Sequence, residues 1–597
     1  MRRRRLLQGL TAAAGAPLLS AAAAPAAAGP ARSPAWRQGP PTLTPADLRF
    51  PAVSRPLRRG RPGEAGLIAE HVERIADEAE VFLTPGPGRP APSFPGFTLI
   101  AVRDGVIVSH EARGHAVRYA SWDEAGGAPV ELPADQWVPM AEDTVFDLAS
   151  VSKLFTATVA AQLAEQGALD LDAPVVRYLP EFAGTDPAKA PITVRQLLVH
   201  RSGLVSWVNL WSLPDNEARL AAIWSSALTR PPGAGYEYSD LNLITLATVM
   251  ERVTGAPLDA LVAERVTGPL GLTDTMYNPP ESLLPRVAAT EYQPATGRGM
   301  IRGSVHDENA WAFGGVAGHA GLFSTAADLA VFCQLLADGG QYDGTRVLSE
   351  DTVRAVLTDH NADIGASPRG LGWQVDQRSY MDALCSPVTA GHTGYTGTCV
   401  TVDPVERTVL VMLTNRVHPT RSWGTDSVYR RMPARAFARA LPVRPVSGAT
   451  AWFAGTADAA TATLTAPLSG LDRAGLATFR LWYDTEPAHD MGAFEASADG
   501  GGTWRPVPLG LRAGQWRWDT DGSFTGWSGR RWLHATAALP AGTTHIRWSY
   551  RTDRDYQGRG VHLDAIRVTR GPRVVFDDSR PRDAARLAAE GWSRGRG

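Results

Sequence analysis

The stretch Phe146-Asp147-Leu148-Ala149-Ser150-Val151-Ser152-Lys153 places a serine hydroxyl and a lysine amine three residues apart at the start of an apolar helical run. At that spacing both side chains project from one helix face, about a turn apart. A nucleophile therefore stands beside a possible base. Of 59 basic residues in the 597-residue chain only Lys153 and Lys189 are lysine. A guanidinium does not release its proton in a protein, whereas a desolvated ammonium can be tuned to act as a base. Lysine at position 153 of an arginine-rich chain thus points to chemistry rather than charge alone. Ser152 lacks the three-residue spacing of a nucleophile and is expected only to orient the lysine.

Outward from this stretch, the chain alternates helical and extended patterns. Apolar residues recur at helical spacing over 63–82. Two apolar runs, 97–102 and 106–108, flank Asp104-Gly105, a hairpin signal. The helix carrying Ser150 runs through Leu154, Phe155, Val159 and Leu163 and ends at Gly167. Helical runs follow at 192–199, 215–228, 241–254, 325–339 and 350–357. Strands return at 398–402 and 407–413, and a last helix fits 425–441. A helical region inserted between the edges of one antiparallel sheet is an α+β organisation.

Two further patches complete a site. Tyr238-Ser239-Asp240 forms a polar turn before a helical run, where a phenol can share a proton with Lys153 and pass it to a leaving group. Gly391-His392-Thr393-Gly394-Tyr395-Thr396-Gly397 opens a strand whose small residues let a ligand lie against the backbone. There the Tyr395 N–H could oppose the Ser150 N–H as an oxyanion hole. Taken singly, a helix cap and a Gly/Thr turn explain these patches as well.

Taken together, Ser150-x-x-Lys153, Tyr238-Ser239-Asp240 and His392-Thr393-Gly394 resemble the serine β-lactamase and penicillin-binding protein superfamily, in its class C β-lactamase-like branch. The segment Arg195-Gln196-Leu197-Leu198-Val199-His200-Arg201-Ser202-Gly203-Leu204 matches the Leu-Leu-x-His-x-Ser-Gly-Leu pattern of that family. Val305–Ala310 and Gly314–Ser324 resemble low-molecular-mass penicillin-binding D-alanyl-D-alanine carboxypeptidases. The resemblance spans about 64–441. It implies a transpeptidase-like antiparallel sheet with a helical subdomain, and acyl transfer through Ser150 to an amide or ester. It further implies a neutral, desolvated Lys153 as base and Tyr238 as proton donor. His392 then assists the attacking water, Asp240, Thr393 and Gly394 bind substrate, and no metal or cofactor takes part. His319 and Asp307 are pocket-lining candidates. Two departures stand out. His392 replaces the lysine of a Lys-Thr-Gly motif, removing a fixed cation, and Asp240 replaces an asparagine, removing an amide donor. Both weaken the case for a β-lactam substrate and favour peptidase- or esterase-like relatives.

The remaining chain divides by composition. Nine of the eighteen tryptophans lie in 452–597, and short alternating strands recur at 461–466, 475–483, 492–498, 531–538, 543–551 and 561–569. This reads as a β-sandwich module over 451–597 after a linker at 442–450. Leu481–Glu486, Glu495–Trp504 and Gly558–Ile566 resemble the jelly-roll module of immune-inhibitor-A-type metallopeptidases, which implies an accessory module for a cell-wall or glycan surface. Asp484, Glu486 and Asp564 are candidate calcium ligands. At the other end, Arg2 to Arg5 precede a weakly apolar run ending in Ala26-Ala27-Ala28, an export signal of twin-arginine type over 1–28, followed by a Pro/Arg-rich leader over 29–62. No later stretch is long enough to span a bilayer. A net charge of −2 gives no electrostatic case for nucleic acid, and three cysteines allow at most one bridge. The expectation is an exported serine hydrolase of D-alanyl-D-alanine carboxypeptidase type acting on a small peptide or cell-wall-derived substrate. The alternatives are a carboxylesterase of the same fold, or a non-catalytic surface-binding protein that uses the second module.

Overall fold

Asp104 and Gly105 both take positive φ, 50° and 74°, the turn geometry whose twist matches that of two flanking antiparallel strands. The hairpin joins β1 (Gly96–Arg103) to β2 (Val106–Val117). The computed structural model describes residues 37–184, 186–365, 367–423 and 427–595; the expected export signal and the first residues of the leader lie outside them.

α1 (Ala69–Glu80) precedes the hairpin, and between the hairpin and the returning strands lie α2 (Ser152–Glu165), α3 (Asp240–Thr254) and α4 (Ala326–Ala337). The chain then returns as β3 (Ala390–Thr393), β4 (Cys399–Asp403) and β5 (Thr408–Thr414), and closes with α5 (Val428–Ala440). These five strands lie in the order β3-β4-β5-β1-β2, each neighbouring pair antiparallel, so β5 pairs with β1 although some 300 residues separate them; at the edge, Arg58–Arg59 pairs in parallel with Val106–Ile107. The sheet is buried on both faces. Phe97, Leu99 and Ala101 of β1 join a cluster with α1 and α5, whereas Ile100 and Val102 join the cluster that holds α2 and α4. That alternation is the period-2 pattern of a strand. On the second face Phe155 of α2 stacks on Phe332 of α4 with ring centroids 4.1 Å apart.

The helical runs appear where periodicity placed them, within a few residues at each end. The second module contains two sheets. Gly475–Asp484, Leu533–Leu539 and Gly560–Arg570 lie in one, and Thr461–Pro467, Met491–Ser497 and His545–Arg551 in the other. Phe479, Phe494 and Trp548 fill the space between them. The hairpin Leu509–Ala513/Trp516–Thr520, which is not among the strands expected from sequence, turns at Gly514-Gln515 with Gly514 at φ 53°. All three cysteines are buried thiols. Among the described residues no helix is long and apolar enough to cross a membrane.

Two expectations change. The leader, expected only as a Pro/Arg-rich extended segment, is in its described part a strap held against both modules. Arg37–Gln38 pairs in parallel with Trp516–Arg517 of the sandwich, Leu48 is buried in the first module, and Ser54 Oγ donates to Asp338 at 2.6 Å. Its apolar residues, sparse as they are, find partners on both modules. The calcium set does not assemble either. Asp484 Oδ2 pairs with Arg530 at 3.2 Å, and Asp564 Oδ2 accepts the Val446 and Ser447 amides at 2.7 Å each. Two of the three carboxylates are thus already occupied by donors of this chain.

Arg530 is the central contact between the modules. It rises from the sandwich to pair with Asp403 at 2.9 Å and Glu406 at 3.4 Å, and donates to the Leu384 and Cys385 carbonyls at 3.3 and 2.8 Å. Burial opposes its charge, but Asp403, Asp484 and Glu406 more than offset that and hold the guanidinium firmly protonated. Replacing it strands Asp403 and Asp484, both fully buried. Removing one partner of a buried ion pair costs about 3–5 kcal/mol. Arg530→Met is therefore expected to destabilise the fold by that order and so to lower the unfolding midpoint in calorimetry, and Arg530→Met with Asp484→Asn to recover part of the loss; an unchanged midpoint would contradict the assignment.

Candidate active site

Ser150 sits on a strained turn. Ala149, immediately before it, has φ 47°, the left-handed region that non-glycine residues visit at a cost of about 1 kcal/mol or more. Asp147 holds the turn: its Oδ1 accepts the Ala149 amide at 2.8 Å and its Oδ2 accepts the His306 amide at 2.5 Å. From the other side, Thr396 and Thr398 donate hydroxyl bonds to the Asp147 and Leu148 carbonyls at 2.7 and 2.9 Å. Gly394 permits this approach, since a Cβ there would lie 2.4 Å from the Leu148 oxygen. Its missing side chain accommodates the protein's own backbone, although the residue also lines the cleft with Thr393.

Lys153 is 1% exposed, and its Nζ is met from three sides. Nζ donates to Ser150 Oγ at 2.7 Å and to the His319 carbonyl at 3.0 Å, and pairs with Asp240 Oδ1 at 2.8 Å. Burial disfavours the charge, but the Asp240 carboxylate and the neighbouring Tyr238 outweigh it, so the amine is held above its ordinary range. The pairing with Asp240 thus favours the ammonium at rest, so the neutral amine expected of a base is the form opposed by this carboxylate. Asp240, read from sequence as a substrate contact, is its counter-ion. Ser152 does not orient Lys153: its Oγ accepts the Leu322 amide at 3.1 Å and ties α2 to the strand Leu322–Ser324.

Tyr238 places its hydroxyl 2.9 Å from Ser150 Oγ. Its ring lies 4.6 Å from that of His200, whose Nδ1 accepts the Ser239 amide at 3.2 Å and faces Asn242 Nδ2 at 3.1 Å. Burial first, then the charges of Arg369 and Lys153, keep His200 neutral. The Leu-Leu-x-His-x-Ser-Gly-Leu segment thus buttresses the phenol.

His392 is placed differently from the expectation. Its Nδ1 lies 2.8 Å from the Thr393 carbonyl, which can only accept, so Nε2 is left to accept from Arg369 Nη1 at 3.3 Å. Both nitrogens are engaged, and burial together with Arg369 and Lys153 keeps the ring neutral. The imidazole, with both nitrogens engaged, holds Arg369 beside the cleft that both residues line. Arg369 is 2% exposed, donates to Tyr236 Oη at 2.7 Å, and has no carboxylate within ion-pair distance among the described residues. It restores the fixed cation that the His392 substitution had seemed to remove. Sequence reasoning missed it because an arginine in an irregular stretch carries no periodic or motif signal.

Ser150 and Tyr395 line both halves of a divided cleft. One half, about 330 Å³, carries Arg369, Arg416 and Arg430 and no carboxylate. The other, about 370 Å³, carries Asp240, Asp307 and Glu308 beside Trp207 and Trp211. In that half one donor atom each of Asp240, Asp307 and His319 lies within 4.8 Å of the others. These charges are already matched: Lys153 pairs with Asp240, and His319 Nε2 meets Asp307 Oδ1 at 2.9 Å.

The β-lactamase family profile matches residues 67–435, which include every one of these groups. The chain belongs to the β-lactamase family. It is a serine hydrolase of the β-lactamase fold. At 36% identity over 397 residues, covering 61% of this chain and 86% of the relative, it is similar to an Escherichia coli (strain K12) protein named "Putative D-alanyl-D-alanine carboxypeptidase". A Salmonella agona (strain SL483) protein of the same name is 32% identical over 399 residues, covering 62% of this chain and 88% of that one. A solved structure named "A class C beta-lactamase" superposes with a TM-score of 0.48 at 17% identity, over 63% of this chain and 97% of that chain.

The Lys153–Asp240 pair gives a pH prediction for this β-lactamase-family site. Asp240 raises the Lys153 pKa, so Asp240→Asn lowers it and increases the neutral fraction at any given pH. The acid limb of kcat/KM is expected to move to lower pH in Asp240→Asn; a limb that stays in place would show that Lys153 ionisation does not control the reaction.

Proposed function

We propose that the protein is an exported D-alanyl-D-alanine-type carboxypeptidase, releasing a C-terminal residue from a small or cell-wall-derived peptide through a Ser150 acyl enzyme. The observation that carries this reading is Arg369, a buried guanidinium with no carboxylate partner among the described residues, in a cleft half with three arginines and no acid. An uncompensated buried cation of this kind fits a substrate carboxylate, which accepts charge-assisted hydrogen bonds. Export rests on the arginine-led N-terminal signal.

In the proposed sequence Lys153, in the fraction that has lost its proton, takes the Ser150 hydroxyl proton as Oγ attacks the carbonyl. The Ser150 and Tyr395 amides receive the oxyanion, and the Tyr238 phenol protonates the departing amine. Water then attacks the acyl enzyme, giving a proton back through the Tyr238–Lys153 pair as Ser150 leaves. Arginine cannot replace Lys153 here, because it cannot give up a proton.

The test compares hydrolysis of an acyl-D-Ala-D-Ala peptide with that of its C-terminal amide. The free carboxylate is expected to be preferred at least about 100-fold in kcat/KM, and Arg369→Gln to erase most of that preference. Equal turnover of the amide, or faster turnover of a simple neutral ester, would favour the esterase reading instead.

A further inference from the structure

The loop between Gly475–Asp484 and Met491–Ser497 carries Glu486 and His489, and the loop after His545–Arg551 carries Asp553. One donor atom from each of Glu486, His489 and Asp553 lies within 4.8 Å of the other two. Glu486 is 8% exposed, and its Oε2 is buried without a hydrogen-bond partner. His489 Nδ1 and Asp553 Oδ2, both facing solvent, stand 3.4 Å apart. Beneath them Asp490 is spent on the scaffold: Oδ1 accepts the Asp553 amide at 3.2 Å, and Oδ2 accepts the Tyr550 hydroxyl at 3.3 Å and the Glu486 amide at 3.4 Å. Both loops are thereby fixed around the opening. Arg378 of the first module lies near enough to act on Glu486 electrostatically but forms no ion pair with it, and instead donates to the Gln557 carbonyl at 3.5 Å. Burial first, and then Asp553, push the Glu486 carboxyl above its usual range.

A buried carboxylate facing a second carboxylate, with one oxygen unpartnered, is unfavourable unless a cation joins it. We propose that Glu486, His489 and Asp553 bind a divalent transition cation, Zn²⁺ fitting the donor set best. An imidazole nitrogen with two carboxylates suits Zn²⁺, whereas Ca²⁺ and Mg²⁺ take oxygen ligands. Three protein ligands leave a fourth tetrahedral position to water. The site differs in membership and chemistry from the calcium set expected from sequence, which shares only Glu486 with it. The bound cation joins the loop of Glu486 to the loop of Asp553, and the latter meets the first module: Arg431 and Arg435 of α5 donate to the Asp555 carbonyl at 2.7 and 3.3 Å. Metal binding thereby stiffens the junction on which α5 rests. None of the three ligands lines the cleft at Ser150.

The test uses the full chain, stripped with EDTA and then incubated with ZnCl₂. About one equivalent of zinc should remain per chain after gel filtration, and the unfolding midpoint should rise. His489→Ala, a solvent-facing change that leaves the fold intact, should weaken zinc binding at least about tenfold. His545→Ala, in the same module but outside the cluster, should bind as wild type does. Failure of the wild type to retain zinc at micromolar concentration, undiminished binding by His489→Ala, or stabilisation by Ca²⁺ and not Zn²⁺ would each overturn the proposal.

Discussion

Burying the ammonium of Lys153 is the constraint on which the rest of the site depends. Taking an ion of this size out of water costs several kcal/mol even after the protein relaxes, and only a close counter-ion with every N–H satisfied offsets it. The structure meets that requirement from three separate parts of the chain. Asp240 comes from the first turn of α3, the His319 carbonyl from the loop before the strand Leu322–Ser324, and Ser150 from the turn preceding α2. Fixing Lys153 therefore fixes the mutual placement of α2, α3 and that loop. The ion pair also sets the chemistry, since a lysine that rests protonated must lose a proton before it can take one.

A second requirement follows from the first. Ser150 must remain accessible while its neighbours are buried, and the chain achieves this with a left-handed Ala149 whose strain is held by Asp147 and by two threonine hydroxyls from beyond β3. The strained turn lies between rigid elements, as precise placement of a nucleophile demands. The divided cleft sets three arginines on one side of Ser150 and, on the other, acids already paired with Lys153, His319 and Arg421. The second module reaches this region from behind: through Arg530 it grips the Leu384 and Cys385 carbonyls, a few residues before β3.

Much of the architecture was legible in the sequence because it rests on repeating signals. The Asp104-Gly105 hairpin, the apolar helix behind Ser150 and six of the sandwich strands all follow from periodicity and turn chemistry. The close approach of Ser150, Lys153 and Tyr238 agrees with their spacing and order, while their catalytic roles belong to the proposal. What was not legible depends on long-range partners. The charge of Lys153 turned on Asp240, 87 residues away, and the place of His392 turned on Arg369, which sits in no motif. Lysine retention proved a weaker signal than it looked. Lys189, the other lysine, is fully buried and donates to the Ile223 and Trp224 carbonyls at 3.3 and 2.6 Å, so a narrow carbonyl cage also excludes arginine.

The central claim is that Ser150 becomes acylated with Lys153 as its proton acceptor. The most direct measurement is intact-mass analysis, after acid quench, of the protein mixed with an acyl-D-alanyl-D-lactate ester, whose good leaving group lets the acyl enzyme accumulate. The account predicts one acyl adduct, mapped to the peptide containing Ser150 and absent from Ser150→Ala and Lys153→Arg. An adduct that persists in Ser150→Ala, or that forms unchanged in Lys153→Arg, would contradict it.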